Sequence, residues 1–171
     1  MPVTRLNHAV LFVRDVQRSV AFYSDALDFR VVHQLPGAAF LQAAASNNDH
    51  DLGLFEIGAQ AGASGAGRTT VGLYHLAWEV DTLDELERTA GRLTEAGALV
   101  GASDHGTTKS LYGKDPNGIE FEIVWLIPAN LLDDAARDGR RTIRPLDLQK
   151  EKERYGAQTP GGIGISVPVS T

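Results

Sequence analysis

The sequence predicts an α+β fold: two tandem βαβββ units forming a cup-shaped mixed sheet, helices outside, then a C-terminal helical and irregular tail. Three observations predict it. Residues 6–13 (LNHAVLFV) and 73–80 (LYHLAWEV) line up, Leu6 with Leu73, His8 with His75 and Val13 with Val80, a repeat of about 67 residues. Each run is followed by a capped amphipathic stretch and then by three strand-like runs. Residues 58–72, rich in Gly, Ala and Ser and without periodicity, separate the two halves.

Each element has its own signal. In residues 6–13, period two places Leu6, His8, Val10 and Phe12 on one face and Asn7, Ala9, Leu11 and Val13 on the other. Both faces are mostly apolar, so the strand needs cover on one side and a pocket or core on the other. Asp15 reads as an N-cap, with Val16, Val20, Tyr23 and Leu27 at helical spacing behind it. Residues 29–34, 39–44 and 50–57 read as strands, with turns at Pro36-Gly37 and at Ser46-Asn47-Asn48-Asp49. In the second half, Thr82 and Glu85 are spaced as a capping box. Leu83, Leu86, Ala90 and Leu93 share a helix face, and Gly97 is its stop. Residues 99–103, 108–112 and 119–125 give three more strands. Pro128 breaks the last one. Residues 130–139 and 146–155 read as short helices, and 156–171 is rich in Gly and Pro.

The chain has 171 residues, enough for one well-buried domain. Its net charge of −6 and the lack of a Lys/Arg stripe argue against nucleic acid as a partner. No apolar run approaches membrane-spanning length, so no membrane partner is expected, and no signal peptide pattern opens the chain. Cytoplasmic localisation is the expectation. With no cysteine, disulfides, thiol nucleophiles and zinc–thiolate sites are excluded. Any metal here must be held by nitrogen and oxygen.

Those donors fall in a pattern. His8 and His75 hold equivalent places at the starts of the two units. Glu122 lies on the last strand of unit two, and Glu56 on the last strand of unit one, 47 and 48 residues after the respective histidines. If the two halves face each other pseudo-symmetrically, these positions converge. Burying a carboxylate without a partner is costly. Two imidazoles and one carboxylate make a facial triad that leaves positions open for substrate and O2, as in non-haem Fe(II) oxygenases.

His8, His75 and DPNGIEFE (115–122) resemble the vicinal oxygen chelate superfamily of glyoxalase I, bleomycin and fosfomycin resistance proteins and type I extradiol dioxygenases. The resemblance covers about residues 5–126. Two further segments resemble the extradiol members, DHGTTKSLYGKDPNG (104–118) and DHDLGLFE (49–56). The resemblance implies a single-domain catechol 2,3-dioxygenase-type enzyme. His8, His75 and Glu122 would hold Fe(II), or Mn(II), since ligand type does not separate the two. The substrate would be a catechol and the co-substrate O2. His50 would take and return a substrate proton, and His105 and Tyr112 would hydrogen-bond the bound substrate. The ring would open beside its hydroxyls to a yellow 2-hydroxymuconic-semialdehyde-type product. By the same analogy a homo-oligomer, dimer or higher, is expected. His33 is left as structural or surface, and Phe40, Phe55, Trp78 and Trp125 as candidate pocket walls.

Two alternatives stay open on the same residues. Glu56 stands where glyoxalase I has its fourth ligand, which would make the protein a Ni(II)- or Zn(II)-dependent isomerase. A metal-free drug-sequestering protein would use the same cup. The expected organisation is a domain over 1–126 (unit 5–57, connector 58–72, unit 73–126). An extension over 127–171 would then pack on the domain or on a partner subunit.

Overall fold

The structure, a computed structural model, describes residues 2–3, 5–66 and 69–162. The last part of the Gly/Pro-rich tail, 163–171, and two residues of the connector lie outside the described residues. The chain divides into two compact units: Met1–Gly72 with Asp115–Ile119, and Leu73–Lys114 with Glu120–Thr171.

Unit one contains β1 (Ala9–Val13), α1 (Val16–Leu27), β2 (Arg30–Leu35), β3 (Ala38–Gln42) and β4 (Leu52–Glu56). The sheet order is β1-β4-β3-β2, with β1 and β4 parallel and the other pairs antiparallel. Parallel neighbours need a crossover connection, which α1, β2 and β3 provide. The Asp15 carboxylate caps α1 by accepting from the Arg18 amide at 2.9 Å. Asp28, at φ 59°, ends it. Leu11, Val13, Leu41, Leu52 and Leu54 are buried with Val16, Tyr23 and Ala26 of α1. On the opposite face, Val10 and Phe12 are 52% and 68% exposed, so β1 is covered on one side only.

Unit two repeats the plan with β5 (Leu76–Glu79), α2 (Leu83–Glu95), β6 (Leu99–Asp104), β7 (Thr108–Lys114) and β8 (Glu120–Leu126). The sheet order is β5-β8-β7-β6-β9, again with one parallel pair, β5 and β8. Leu83, Leu86, Thr89 and Leu93 of α2 are buried, so Thr89 takes the place expected of Ala90. The capping box is half formed. Thr82 Oγ1 accepts from the Glu85 amide at 3.2 Å, but the Glu85 carboxylate is held by Arg88 and Arg92, each at 2.7 Å. Gly97, at φ 64°, follows the helix as expected.

The extension differs most from expectation. The region expected as one helix is a 3₁₀ turn (Ala129–Leu131) followed by α3 (Asp134–Gly139). A two-residue strand, β9 (Arg144–Pro145), adds to the edge of β6, and α4 (Leu148–Tyr155) packs on α2. Lys152 on α4 pairs with Asp84 and Glu87 of α2, each at 2.5 Å. The Trp125 ring meets Tyr155 at 5.7 Å. No helix among the described residues is long and apolar enough to cross a membrane.

The Asp-Pro-Asn-Gly turn belongs spatially to unit one. Asp115 Oδ1 accepts from the amides of Asn117 and Ile119, both at 2.8 Å, and Gly118 takes φ 84°. Asn117 then receives the Arg14 amide on its Oδ1 at 2.9 Å and donates to Ser19 Oγ at 3.1 Å. The Tyr23 hydroxyl donates to Asp115 Oδ2 at 3.4 Å, and burial, with the Asp115 charge, pushes the Tyr23 phenol well above its usual range.

Candidate functional site

Both β1 and β5 start one residue later than the histidines that were expected to lie inside them. His8 and His75 sit immediately before Ala9 and Leu76. The equivalence of the two histidines survives this shift, because both move together.

In unit two, four predicted residues form one chain of contacts. Tyr112 on β7 and Glu122 on β8 are direct partners in the antiparallel ladder, which places their side chains on one face. His75 precedes by two residues Ala77, the partner of Glu122 in the parallel register, so it reaches the same face. His75 Nε2 lies 3.1 Å from Glu122 Oε2. The Tyr112 hydroxyl donates to Glu122 Oε1 at 3.4 Å and lies 2.7 Å from His105 Nε2. A phenol has one proton to give. Given to Glu122, it leaves the oxygen to accept from His105. Given to His105, it leaves Oε1 open to another donor. Burial pushes the Tyr112 phenol up to about 12, and the Glu122 charge adds to the shift. At neutral pH Tyr112 is therefore a donor.

The His75–Glu122 pair suits a metal. Two donors bound at about 2.1 Å and at right angles stand about 3.0 Å apart, and the observed separation is 3.1 Å. Glu122 is largely buried, with its side chain 13% exposed. One feature departs from the usual support of a ligating imidazole. His75 Nδ1 is buried and finds no hydrogen-bond partner among the described residues. Among the described residues, no three His, Asp or Glu side chains gather as a ready cage.

In unit one, His8 and His50 come together, with ring centroids 4.5 Å apart. His50 is not in a strand as expected, because β4 begins at Leu52. It sits on a loop fixed by Asp51, whose carboxylate accepts from the Ala43 amide, Ser46 Oγ and Asn48 Nδ2 at 2.7–2.9 Å. Asn48 Nδ2 also donates to the Asn7 carbonyl at 2.9 Å, and His8 Nδ1 lies 2.9 Å from Asn7 Oδ1. His50 Nδ1 is 2.8 Å from Asp49, which fixes the ring against Phe40. His33, given no role from sequence, stacks on Phe40 at 6.0 Å on this same face. Its register pairing with Phe40 across β2 and β3 is the signal that finds it, and a bulge at Val32 hides that pairing from residue counting.

Two expectations need correction. Glu56 is not the counterpart of Glu122. With Ala9 aligned to Leu76, the ladders pair Val10 with Gly53 and Ala77 with Glu122, so Gly53 holds the equivalent place. Glu56 lies three residues further on, an odd step that turns it to the helix side. There its Oε2 accepts the Val16 amide at the start of α1, at 2.9 Å. The tryptophans are not pocket walls beside Glu122. Trp125, fully buried, is an odd step from Glu122 and packs toward α4, donating from Nε1 to the Thr159 carbonyl at 3.3 Å. Trp78 pairs in register with Ile123, also off the Glu122 face. Phe40 and Phe55, whose rings meet edge to face at 5.8 Å, do lie on the His8 face.

The family model described as the Glyoxalase/Bleomycin resistance protein/Dioxygenase superfamily matches residues 5–123. The chain is 33% identical over 120 residues to a catechol-2,3-dioxygenase of Bacillus subtilis (strain 168), covering 70% of this chain and 41% of that protein. It is 35% identical over 130 residues to biphenyl-2,3-diol 1,2-dioxygenase 3 of Rhodococcus globerulus, covering 72% of this chain and 64% of that protein. The matched stretch thus spans less than two thirds of either relative. A glyoxylase/bleomycin resistance protein/dioxygenase domain from Frankia sp. EAN1pec shares the fold, with TM-score 0.61 at 22% identity over 75% of this chain and 96% of that one.

Proposed function

The chain belongs to the Glyoxalase/Bleomycin resistance protein/Dioxygenase superfamily, and from that premise we propose that it is an extradiol dioxygenase acting on a catecholic substrate with O2. The observation that carries this reading is the run His75–Glu122–Tyr112–His105, a metal-suited pair continued by a phenol and an imidazole. Residues 1–126 would be the family domain, with 127–171 as its extension.

His75, Glu122 and, by its place in the repeat, His8 are the proposed ligands of Fe(II), with Mn(II) the other candidate. The metal, when bound, supplies charge that acidifies a catechol hydroxyl and a template for the two co-substrates. The remaining work falls to side chains. Tyr112, a donor at neutral pH, orients an oxygen of the substrate. His105 fixes which way the Tyr112 proton points. His50, held by Asp49, takes a substrate proton and later returns it. Phe40 and Phe55 offer flat apolar surface for a ring.

An isomerase of the glyoxalase I type would need a fourth ligand, a second carboxylate, from unit one. Glu56 is committed to α1, and Gly53 has none to give. The deciding experiment loads the protein with Fe(II) without oxygen, then adds a panel of plain, alkylated and aryl catechols and admits air. The expected result is a yellow ring-opened product, and Glu122→Ala is expected to lose both bound iron and colour. Iron bound at one per chain with no product from any catechol, together with lactoylglutathione formation from the hemithioacetal, would overturn the proposal.

A further inference from the structure

We propose that the C-terminal extension is a positioning device for His105, gripping the β6–β7 loop from the side away from Glu122. The proposal rests on the reading that His105 and Tyr112 act at the Glu122 site.

Residues 105–107 join β6 to β7, and His105 is the one side chain among them directed at Tyr112. Its neighbours point the other way and are held by the extension. Asp104 is buried, and its Oδ2 accepts from Arg144 of β9 at 2.8 Å. Its Oδ1 accepts from Lys109 Nζ at 2.6 Å and from the Gly106 amide at 2.8 Å. Lys109, 1% exposed, is in turn paired with Glu151 of α4 at 2.9 Å. Thr107 Oγ1 accepts from Arg140 Nε, at the end of α3, at 3.2 Å. Gly106 takes φ 80°, and a Cβ built on it would lie 2.4 Å from the Ala136 carbonyl oxygen. The end of α3 therefore rests directly on the backbone next to His105.

The end of α3 thus holds this three-residue loop directly, β9 holds Asp104 just before it, and α4 acts through Lys109, whose Nζ also donates to the Gly106 carbonyl at 3.3 Å. A short loop anchored on both sides of one residue leaves that residue little freedom, and the His105–Tyr112 contact is fixed from behind. Nothing in the His75–Glu122 pair requires this grip. Its consequence is confined to the direction of the Tyr112 proton.

The test uses the full chain with Arg144→Ala, Arg144→Lys and the double variant Arg140→Ala/Arg144→Ala. Arg144 is half exposed, and Asp104 keeps Lys109 as partner, so folding is expected to persist. Three quantities are read: exchange of the Gly106 amide, the ring ¹⁵N shifts of His105, and kcat against KM on a catechol. Arg144→Ala is expected to speed Gly106 exchange about 10-fold. The His105 shifts should move toward those of a Tyr112→Phe variant, and kcat should fall with little change in KM. Arg144→Lys should restore part of each. Unchanged His105 shifts and Gly106 exchange in the double variant would overturn the proposal, whatever the activity. If the wild type cleaves no catechol, the functional reading fails, while the two spectroscopic readouts still decide the positioning role.

Discussion

Replacing Lys109 by Met tests the buried charge cluster of unit two. Lys109 is 1% exposed and stands between Asp104 and Glu151, whose side chains are 10% and 7% exposed. Removing one partner of a buried ion pair costs about 3–5 kcal/mol, because the other charge stays behind without compensation. Here Asp104 retains Arg144, so Glu151 is the group left unpaired, and the loss should fall near the lower end, about 3 kcal/mol. For a chain of this length that corresponds to a fall in Tm of roughly 6–12 °C. Thermal unfolding is followed by circular dichroism at neutral pH, with the near-ultraviolet signal of the Trp125–Tyr155 pair reporting on α4. Adding Glu151→Leu to Lys109→Met should recover most of the loss, since an apolar replacement of both partners removes the unpaired charge. A loss below about 1 kcal/mol, or no recovery in the double variant, would show that water reaches these carboxylates and that the cluster does not hold α4.

Further outcomes follow from the same contacts. Glu56→Ala should cost about 0.5–2 kcal/mol by freeing the amide end of α1, with bound metal unchanged by elemental analysis; loss of metal would return Glu56 to the ligand set. Acid should release the extension. Burial opposes ionisation of Asp104, but Lys109, the Gly106 amide and Arg144 outweigh it and hold its carboxyl below the usual range, while the Ala136 amide and Arg154 do the same for Asp133. Carboxyls lowered in the folded state add stability above their unfolded pKa and lose it as pH falls through the folded value. Helix signal from α3 and α4 should therefore persist at pH 5 and decline only below about pH 4; a decline centred near pH 6 would point to a histidine instead. Asp115→Ala removes the acceptor of two turn amides and of the Tyr23 hydroxyl, and is expected to cost about 2–4 kcal/mol in chemical denaturation; a cost under 1 kcal/mol would mean the turn closes without it.

The repeat was legible because strand, cap and stop signals agree with each other. Asp15, Thr82 and Gly97 act where their chemistry places them. Tyr112 and Glu122 were found in one stretch because ten residues of hairpin return the chain to the same face. What counting missed was register. The connection to β4 differs in length from the connection to β8, so equal spacing from the histidines picked Glu56, whereas the ladders pick Gly53. β9 carries no apolar alternation and contains a proline. It exists because Arg144 reaches a buried carboxylate that only the folded unit presents. The Trp125 direction was hidden for a similar reason: its partner, Tyr155, lies thirty residues on, beyond the repeat.

The Asp115–Ile119 turn also bears on how the chain folds as it is made. Arg14, Ser19 and Tyr23 emerge early, but the groups that satisfy them are encoded 92–103 residues later. A nascent chain halted at the connector would present the Arg14 amide and the Tyr23 hydroxyl without their Asn117 and Asp115 acceptors. At ordinary synthesis rates the wait from residue 72 to residue 119 is roughly 2–10 s. During that interval unit one lacks the contacts of the turn, and a fragment ending before Asp115 should be less soluble than the full chain, measured by its recovery in the soluble fraction. Closure of the turn is then a late, long-range event, slow for the same reason that any contact between distant residues is slow.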